Sequence, residues 1–355
     1  MKRYGNIFDS IISIENLREA HRNASKGKKS YRQVRKINKK TDFYLYKIQN
    51  MLKNGTYRVS KYRLKIINDK GKQRELYKLP YYPDRIIQWA IMLQIENILV
   101  KTFCYHTCAS IAGRGINRAV KLSKKYTAKS NDCRYCLKFD IKKFYPSIDQ
   151  TILKNMLRKK FKDKRLLSLL DLIIDSFPQE RGIPIGSYLS QYLANFYLTY
   201  FDHWLKETML CKYVVRYMDD ICIYSDNKAD LHYILKQSQE YLAKKLNLTM
   251  KKNYQIFPTR IRGVDFVGYR FFGTFTLLRK RIALRYKRKA IKLSKKPITA
   301  HSLSSFFSYF GFTIPANTKR FFKKNLQNLF AKMKTFIFRQ RMIKRGYVPN
   351  YEPLY

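Results

Sequence analysis

The sequence predicts an α+β fold in which short antiparallel strands are set among longer helices, and three observations carry that expectation. Val214 to Ser225 (V-V-R-Y-M-D-D-I-C-I-Y-S) holds two β-branched and aromatic runs, each too short for a helix, meeting at Asp219-Asp220. It reads as a hairpin with acid at its tip. Residues 57 to 79 read as a second hairpin, with Asn68-Asp-Lys-Gly-Lys72 as the turn. Stretches such as 83–100 and 229–246 have the length and periodicity of helices, and from about Leu277 onward the pattern is helical.

Composition narrows the function classes. Lys plus Arg number 74 against 24 Asp plus Glu, a formal net charge of +50 spread along nearly the whole chain. Such a field demands a polyanion, and nucleic acid is the natural one because each neutralised phosphate releases counterions. The 29 Tyr, 23 Phe and 2 Trp offer core mass and faces on which unpaired bases can stack. At 355 residues, 45% of them hydrophobic, the chain fits two or three subdomains around more than one core. No apolar run approaches the ~18 residues of a membrane span, and the first residues lack a signal peptide's apolar block. The expected location is therefore cytosolic, with no membrane partner. Cys133-Arg-Tyr-Cys136 has zinc-ligand spacing, with Cys104, His106 and Cys108 upstream. No second C-x-x-C follows, so buried reduced thiols are expected for the six cysteines.

Along the chain, Ile7, Ile11, Ile12, Ile14 and Leu17, then Phe43, Leu45, Ile48 and Leu52, predict helices that end at Asn54-Gly55. The basic run Lys26 to Lys40 between them is a solvated face or a hold on a template backbone. The helix at 83–100 is expected to be amphipathic, with Ile86, Ala90 and Leu93 in one row and Ile87, Ile91, Ile95 and Ile98 beside it. Cys136-Leu-Lys-Phe-Asp140 is a short strand, and Asp149 can cap the helix carrying Ile152, Leu153, Met156, Leu157 and Phe161. Arg262-Gly-Val-Asp-Phe-Val-Gly-Tyr-Arg-Phe-Phe272 reads as a further strand, and Arg279 to Lys296 is densely basic.

Two adjacent carboxylates in a partly buried hairpin cost several kcal/mol or shift their pKa values unless a cation compensates. A divalent metal suits them, since hard carboxylate oxygens favour Mg2+ shared with substrate phosphates. An Asx-type turn tip is the plainer alternative for the two aspartates alone.

Tyr217-Met218-Asp219-Asp220 resembles the Y-x-D-D box of reverse transcriptases, and Phe139-Asp-Ile-Lys-Lys-Phe-Tyr145 resembles the family's F-D-I-K-x-F-[FY] segment. The resemblance implies a right-hand polymerase of fingers, palm with an antiparallel sheet, and helical thumb. Residues 1–60 would be a basic helical N-terminal extension and 61–135 the fingers hairpin and start of the palm. Residues 136–272 would be the palm, with a helical fingers segment at 150–184, and 273–355 the thumb. It further implies that Asp140, Asp219 and Asp220 are the catalytic carboxylates, holding two Mg2+ ions with the backbone carbonyl of Ile141. Lys72 and Arg74 would grip the incoming triphosphate, and Tyr145 would lie under its sugar and reject a 2′-hydroxyl. Asp84, Arg85 and Gln88 match a D-R-x-x-Q pattern read as fixing the 83–100 helix. Phe266, Gly268 and Tyr269 match the primer grip. A lysine that protonates pyrophosphate would be Lys251 or Lys252.

One segment departs from most of the family. Where Q-G-x-x-x-S-P is usual, this chain has Ile185-Gly186-x-x-x-Ser190-Gln191. That form resembles the reverse transcriptases of diversity-generating retroelements, bacterial or phage-encoded, which copy a template-repeat RNA with errors at adenines. It places Ile185, Gly186 and Gln191 at the nucleotide site, where an apolar Ile185 loses the polar contacts of a glutamine, ~1–3 kcal/mol each. The implied partners are template RNA, the RNA/cDNA duplex, dNTPs and a small basic pentameric accessory protein. A retron, phage-defence or group II-like enzyme is the alternative, as is a non-catalytic RNA-binding protein on the same fold. The chain is expected to be too short for a multidomain intron protein.

Overall fold

The computed structural model describes residues 2–69 and 72–344. β1 (Arg63–Asp69) and β2 (Lys72–Lys78) pair as a two-stranded sheet. β3 (Tyr135–Asp140), β4 (Tyr213–Tyr217), β5 (Asp220–Ser225) and β6 (Gln255–Pro258) form a four-stranded sheet in the order β4-β5-β3-β6. β7 (Val264–Phe266), β8 (Tyr269–Phe271) and β9 (Thr276–Leu278) form an antiparallel meander. The chain divides into two compact units: one runs to Ala119 and adds Leu137–Tyr224 and Lys228–Ile256, and the other is Val120–Cys136, Ser225–Asn227 and the chain from Phe257. Among the described residues, no helix is long and apolar enough to cross a membrane.

In the first unit the helix Ile86–Val100 is a central element rather than an amphipathic one. Ile86, Ile87, Ala90, Ile91, Met92, Ile95 and Leu99 are all buried, because the two apolar rows together cover a wide arc. The helices Ile14–Ser25 and Tyr188–Tyr197 both pack on it. The basic run also folds more than expected. Val34 and Ile37, three residues apart, bury one side of a helix at Arg32–Lys39 and leave its cations outward.

The first hairpin begins later than the pattern suggested, at Arg63 instead of Tyr57. Tyr57 is buried, and its hydroxyl donates to Asp84 Oδ1 at 2.8 Å, while the Ser60 N–H donates to the same oxygen at 3.0 Å. Asp84 is itself wholly buried, so residues 57–60 are tied inward and are unavailable for the sheet. The loop residues Lys70 and Gly71, and the side chains of Lys72 and Arg74, lie outside the described residues.

In the second unit, Val267 (φ 42°) and Gly268 (φ 95°) form the two-residue turn between β7 and β8, with Phe266 opposite Tyr269. Both rings are buried. A Cβ on Gly268 would stand 2.9 Å from Ile282 Cδ1, so what this glycine admits is the helix Lys280–Ser294. Further on, Tyr286, Ala290, Leu293, Phe306, Leu326, Leu329 and Met333 form the core of a helical bundle, with Tyr309, Phe310, Phe321, Phe322 and Phe330 packed against it. The aromatics of this segment are thus mostly core mass, and its charge is carried outside.

Candidate active site

β4 and β5 pair in register from Tyr213 opposite Tyr224 to Tyr217 opposite Asp220, leaving Met218 and Asp219 as the turn. β5 lies between β4 and β3, so the hairpin is held within the four-stranded sheet. Asp140 ends β3, and the next N–H, of Ile141, donates to the Asp219 carbonyl at 3.3 Å. Two segments nearly eighty residues apart therefore meet at the backbone. A third joins them: the Lys251 N–H donates to the Asp140 carbonyl at 2.8 Å, and the Lys142 N–H to that of Thr249 at 2.8 Å.

Charge gathers at this junction. Lys251 Nζ stands 2.5 Å from Asp140 Oδ1, and Lys138 Nζ stands 3.4 Å from Asp220 Oδ2. Burial, and next to it the Asp140 carboxylate, push the Asp219 carboxyl up to about 6. Among the described residues, no three His, Cys, Asp or Glu side chains stand arranged to hold a metal ion, and two of these carboxylates rest on lysine ammonium groups. The chemistry of the donor set still fits a hard divalent cation. Three carboxylates concentrate where burial and like-charge crowding already disfavour ionisation of one of them, and ammonium groups are drawn to the other two.

Around the acids, Tyr145 is placed by a short helix, Phe144–Ser147, and its hydroxyl lies 3.8 Å from Met218 Sδ. Burial, then the charge of Asp219, raise that hydroxyl above its ordinary range. The loop carrying Ile185 packs on the same helix: the Ile183 N–H donates to the Tyr145 carbonyl at 3.1 Å and the Gly182 N–H to that of Ile148 at 2.7 Å. A Cβ at Gly182 would stand 2.8 Å from Pro146 Cα, so this position needs glycine.

Ile185 and Gly186 line a cavity of about 620 Å3. Its other walls include Lys28 and Arg32, Arg63 and Lys78 from the ends of the first hairpin, and Arg85, Gln88 and Trp89; none of the lining residues is acidic. Tyr188, another lining residue, stacks on Trp89 with ring centroids 4.3 Å apart. Burial holds the Arg85 guanidinium below its ordinary value, and burial followed by the charge of Arg85 does the same to Lys28. Gln88 fixes more than its own helix: the Ser187 hydroxyl donates to its Oε1 at 2.6 Å, and Ser187 caps the helix Tyr188–Tyr197. Gln191, on the first turn of that helix, is half-buried and is not among the lining residues. Phe266, Gly268 and Tyr269 belong to the second unit. None of the six cysteines is in a disulfide and five are buried; burial pushes Cys108 and Cys211 up to about 11 and Cys104 and Cys133 up to about 12.

Sequence reasoning passed over Lys138 and Arg216 and left Lys251 unchosen. Lys138 had a signal, since it sits two residues before Asp140 and thus on the same face of β3. Arg216 had a stronger one, a single cation inside an apolar strand. Lys251 is distinguished from Lys252 only by the pairing with Asp140, which no local pattern encodes.

Residues 37–271 match the family described as reverse transcriptase (RNA-dependent DNA polymerase). Among curated proteins, Protein YkfC of Escherichia coli is 26% identical over 161 residues, covering 42% of this chain and 41% of that protein. The group II intron-encoded protein LtrA of Lactococcus lactis is 28% identical over 165 residues, 44% of this chain and 27% of that protein. The chain thus spans less than half the length of these relatives. Among solved structures, apo telomerase from Candida tropicalis aligns with a TM-score of 0.53 at 13% identity, covering 78% of this chain and 59% of that one. Telomerase from Candida albicans, in complex with a fragment of telomeric RNA, aligns at 0.50 and 10% identity, over 81% and 59% of the two chains. At such identities the likeness is one of fold, and it is the right-hand polymerase fold.

Proposed function

The chain belongs to the reverse transcriptase family, and from that membership we propose that it is an RNA-directed DNA polymerase extending a primer on template RNA with dNTPs. The observation that carries the reading is the meeting of Asp140 with the Asp219-Asp220 tip through the 3.3 Å hydrogen bond from Ile141 to Asp219. Asp140, Asp219, Asp220 and the Ile141 carbonyl are the groups that would hold Mg2+, which when bound activates a primer hydroxyl and neutralises a triphosphate. The protein's own part is then mostly positioning and charge. Lys251, whose backbone and ammonium both engage Asp140, is assigned to proton delivery to the leaving pyrophosphate. Tyr145, half-buried beside Met218, presents the ring that selects against a 2′-hydroxyl. The cavity walled by Lys28, Arg32, Arg63 and Arg85, with Trp89 and Tyr188, suits phosphates and unstacked bases of a single strand. The basic helix Lys280–Ser294 suits a duplex backbone.

A finer reading is supported by Ile185 and Gly186 lining that cavity: an error-prone enzyme of a diversity-generating retroelement, working in the cytoplasm with a small basic pentameric accessory protein. A group II intron-like enzyme of ordinary fidelity is the second reading, favoured by the similarity to the Lactococcus intron-encoded protein. Primer extension on RNA with sequencing of the cDNA separates them. The mutagenic reading expects errors enriched opposite template adenines and lowered by Ile185→Gln. A flat error spectrum unchanged by that substitution leaves the polymerase and removes the retroelement assignment, whereas absence of any Mg2+-dependent extension removes the polymerase.

A further inference from the structure

We propose that Arg216 is a positioning residue for the acid tip, fixing through the Met218 carbonyl the turn that presents Asp219 and Asp220. The inference rests on the polymerase reading above and adds to it a residue that acts through the backbone of the turn.

Arg216 is fully buried in β4, flanked by Val214, Val215 and Tyr217. Its guanidinium grips Asp202, also fully buried, through Nε at 2.8 Å to Oδ1 and Nη2 at 2.5 Å to Oδ2. The remaining nitrogen, Nη1, donates to Asn195 Oδ1 and to the Met218 carbonyl, both at 3.1 Å. Because the fork is planar and its other two nitrogens are held by Asp202, the direction in which Nη1 donates is set. That direction fixes the peptide plane between Met218 and Asp219, since the bond is planar. Met218 needs such a restraint: its φ of 55° lies in the left-handed region that a side chain like methionine rarely enters.

The cluster is itself held from outside the hairpin. The Arg216 N–H donates to the His106 carbonyl at 3.0 Å, and the Cys108 N–H to the Arg216 carbonyl at 2.9 Å. Thr107 Oγ1 donates to Asp202 Oδ2 at 2.8 Å, and Arg114 Nη1 donates to the Cys104 and Thr107 carbonyls at 2.8 and 2.9 Å. Well-packed apolar residues at positions 202 and 216 together would serve stability as well as the buried ion pair does, so stability alone does not account for the charges. The link from Asp202 to the turn does.

Two variants of the full chain test this. Arg216→Lys keeps a cation for Asp202 but has no second arm for Met218; Asp202→Leu with Arg216→Met removes both buried charges together. For each, the melting midpoint, kcat and KM for dNTP in primer extension, and Mn2+ binding by the free protein, followed by electron paramagnetic resonance, are compared with the parent. For a variant that melts close to the parent, we expect kcat to fall about 100-fold with KM little changed, and Mn2+ affinity to fall about 10-fold, as for groups that orient metal ligands. Either variant retaining kcat and Mn2+ affinity within about 3-fold at any melting midpoint overturns the proposal, because misplacing the ligands has a larger cost than that. If both variants melt far below the parent, a loss of Mn2+ affinity measured well below their midpoints still supports it. A parent that binds Mn2+ but never extends a primer fails the polymerase reading instead, while the Mn2+ comparison continues to test Arg216.

Discussion

Two hairpins of the first unit share a topology and differ in everything else. β4–β5 is flanked by β3 within a sheet, buried along its length and fastened beneath by the Asp202–Arg216 ion pair. β1–β2 forms a sheet of only two strands, and Leu64 and Ile66 on β1 are 53% and 57% exposed. An isolated two-stranded ribbon is marginally stable in water, whereas a central hairpin inherits the stability of the core. On the proposed function the difference would separate two tasks, acids held in place for a metal and cations that engage a triphosphate.

That contrast can be broken experimentally, beginning where the largest effect is expected. Asp219→Ala in the rigid hairpin should lower primer extension by ~1,000-fold or more, the scale of losing a central electrostatic group. Filter binding of template RNA should be nearly unchanged, since a carboxylate attracts no phosphate; normal extension would remove Asp219 from the catalytic assignment.

Asp202→Ala should then destabilise the first unit by about 3–5 kcal/mol in urea melts, because Arg216 is left as an unpaired buried charge. The pH dependence has a definite sign. Burial alone would raise the Asp202 carboxyl, but the Arg216 guanidinium and then His106 hold it well below the usual carboxylate range. Its contribution is therefore complete above that range and lost as pH falls below it. The parent should lose stability on acidification more steeply than Asp202→Asn; parallel acid limbs would deny the pair this role.

Arg74→Ala in the open hairpin should raise KM for dNTP about 10-fold, the worth of one charge-assisted hydrogen bond, with the melting midpoint unmoved. Unaltered kinetics would return Arg74 to an exposed strand charge. Smallest of all, Leu64→Thr should change stability by no more than about 0.5 kcal/mol, as exposed substitutions do. A larger loss would mean that β1 is buried against something and that the two hairpins are less different than they look.

Much of this was legible in the residues. The acid-tipped hairpin, the strand ending at Asp140 and the cap at Asp149 follow from short-range patterns, and Asp149 does accept the Ile152 N–H at 3.0 Å. The late start of β1 was not legible, because Tyr57 has the composition of a strand residue and only its partner, Asp84, draws it inward. Nor was the central character of Ile86–Val100, since a wide apolar arc shows how much a helix must bury without showing how many neighbours will cover it.

What the sequence determined by itself was local and compositional: where strands and helices form, that the chain carries a formal net charge of +50, and which carboxylates sit at strand ends. Only the tertiary structure decided which lysine meets Asp140, what Arg216 holds, and that Ile185 shares a cavity with Lys28 and Arg85. Hydrogen bonds and Coulomb forces act over a few ångströms of space, and residues separated by tens to more than a hundred positions come within that range only after apolar burial has folded the backbone.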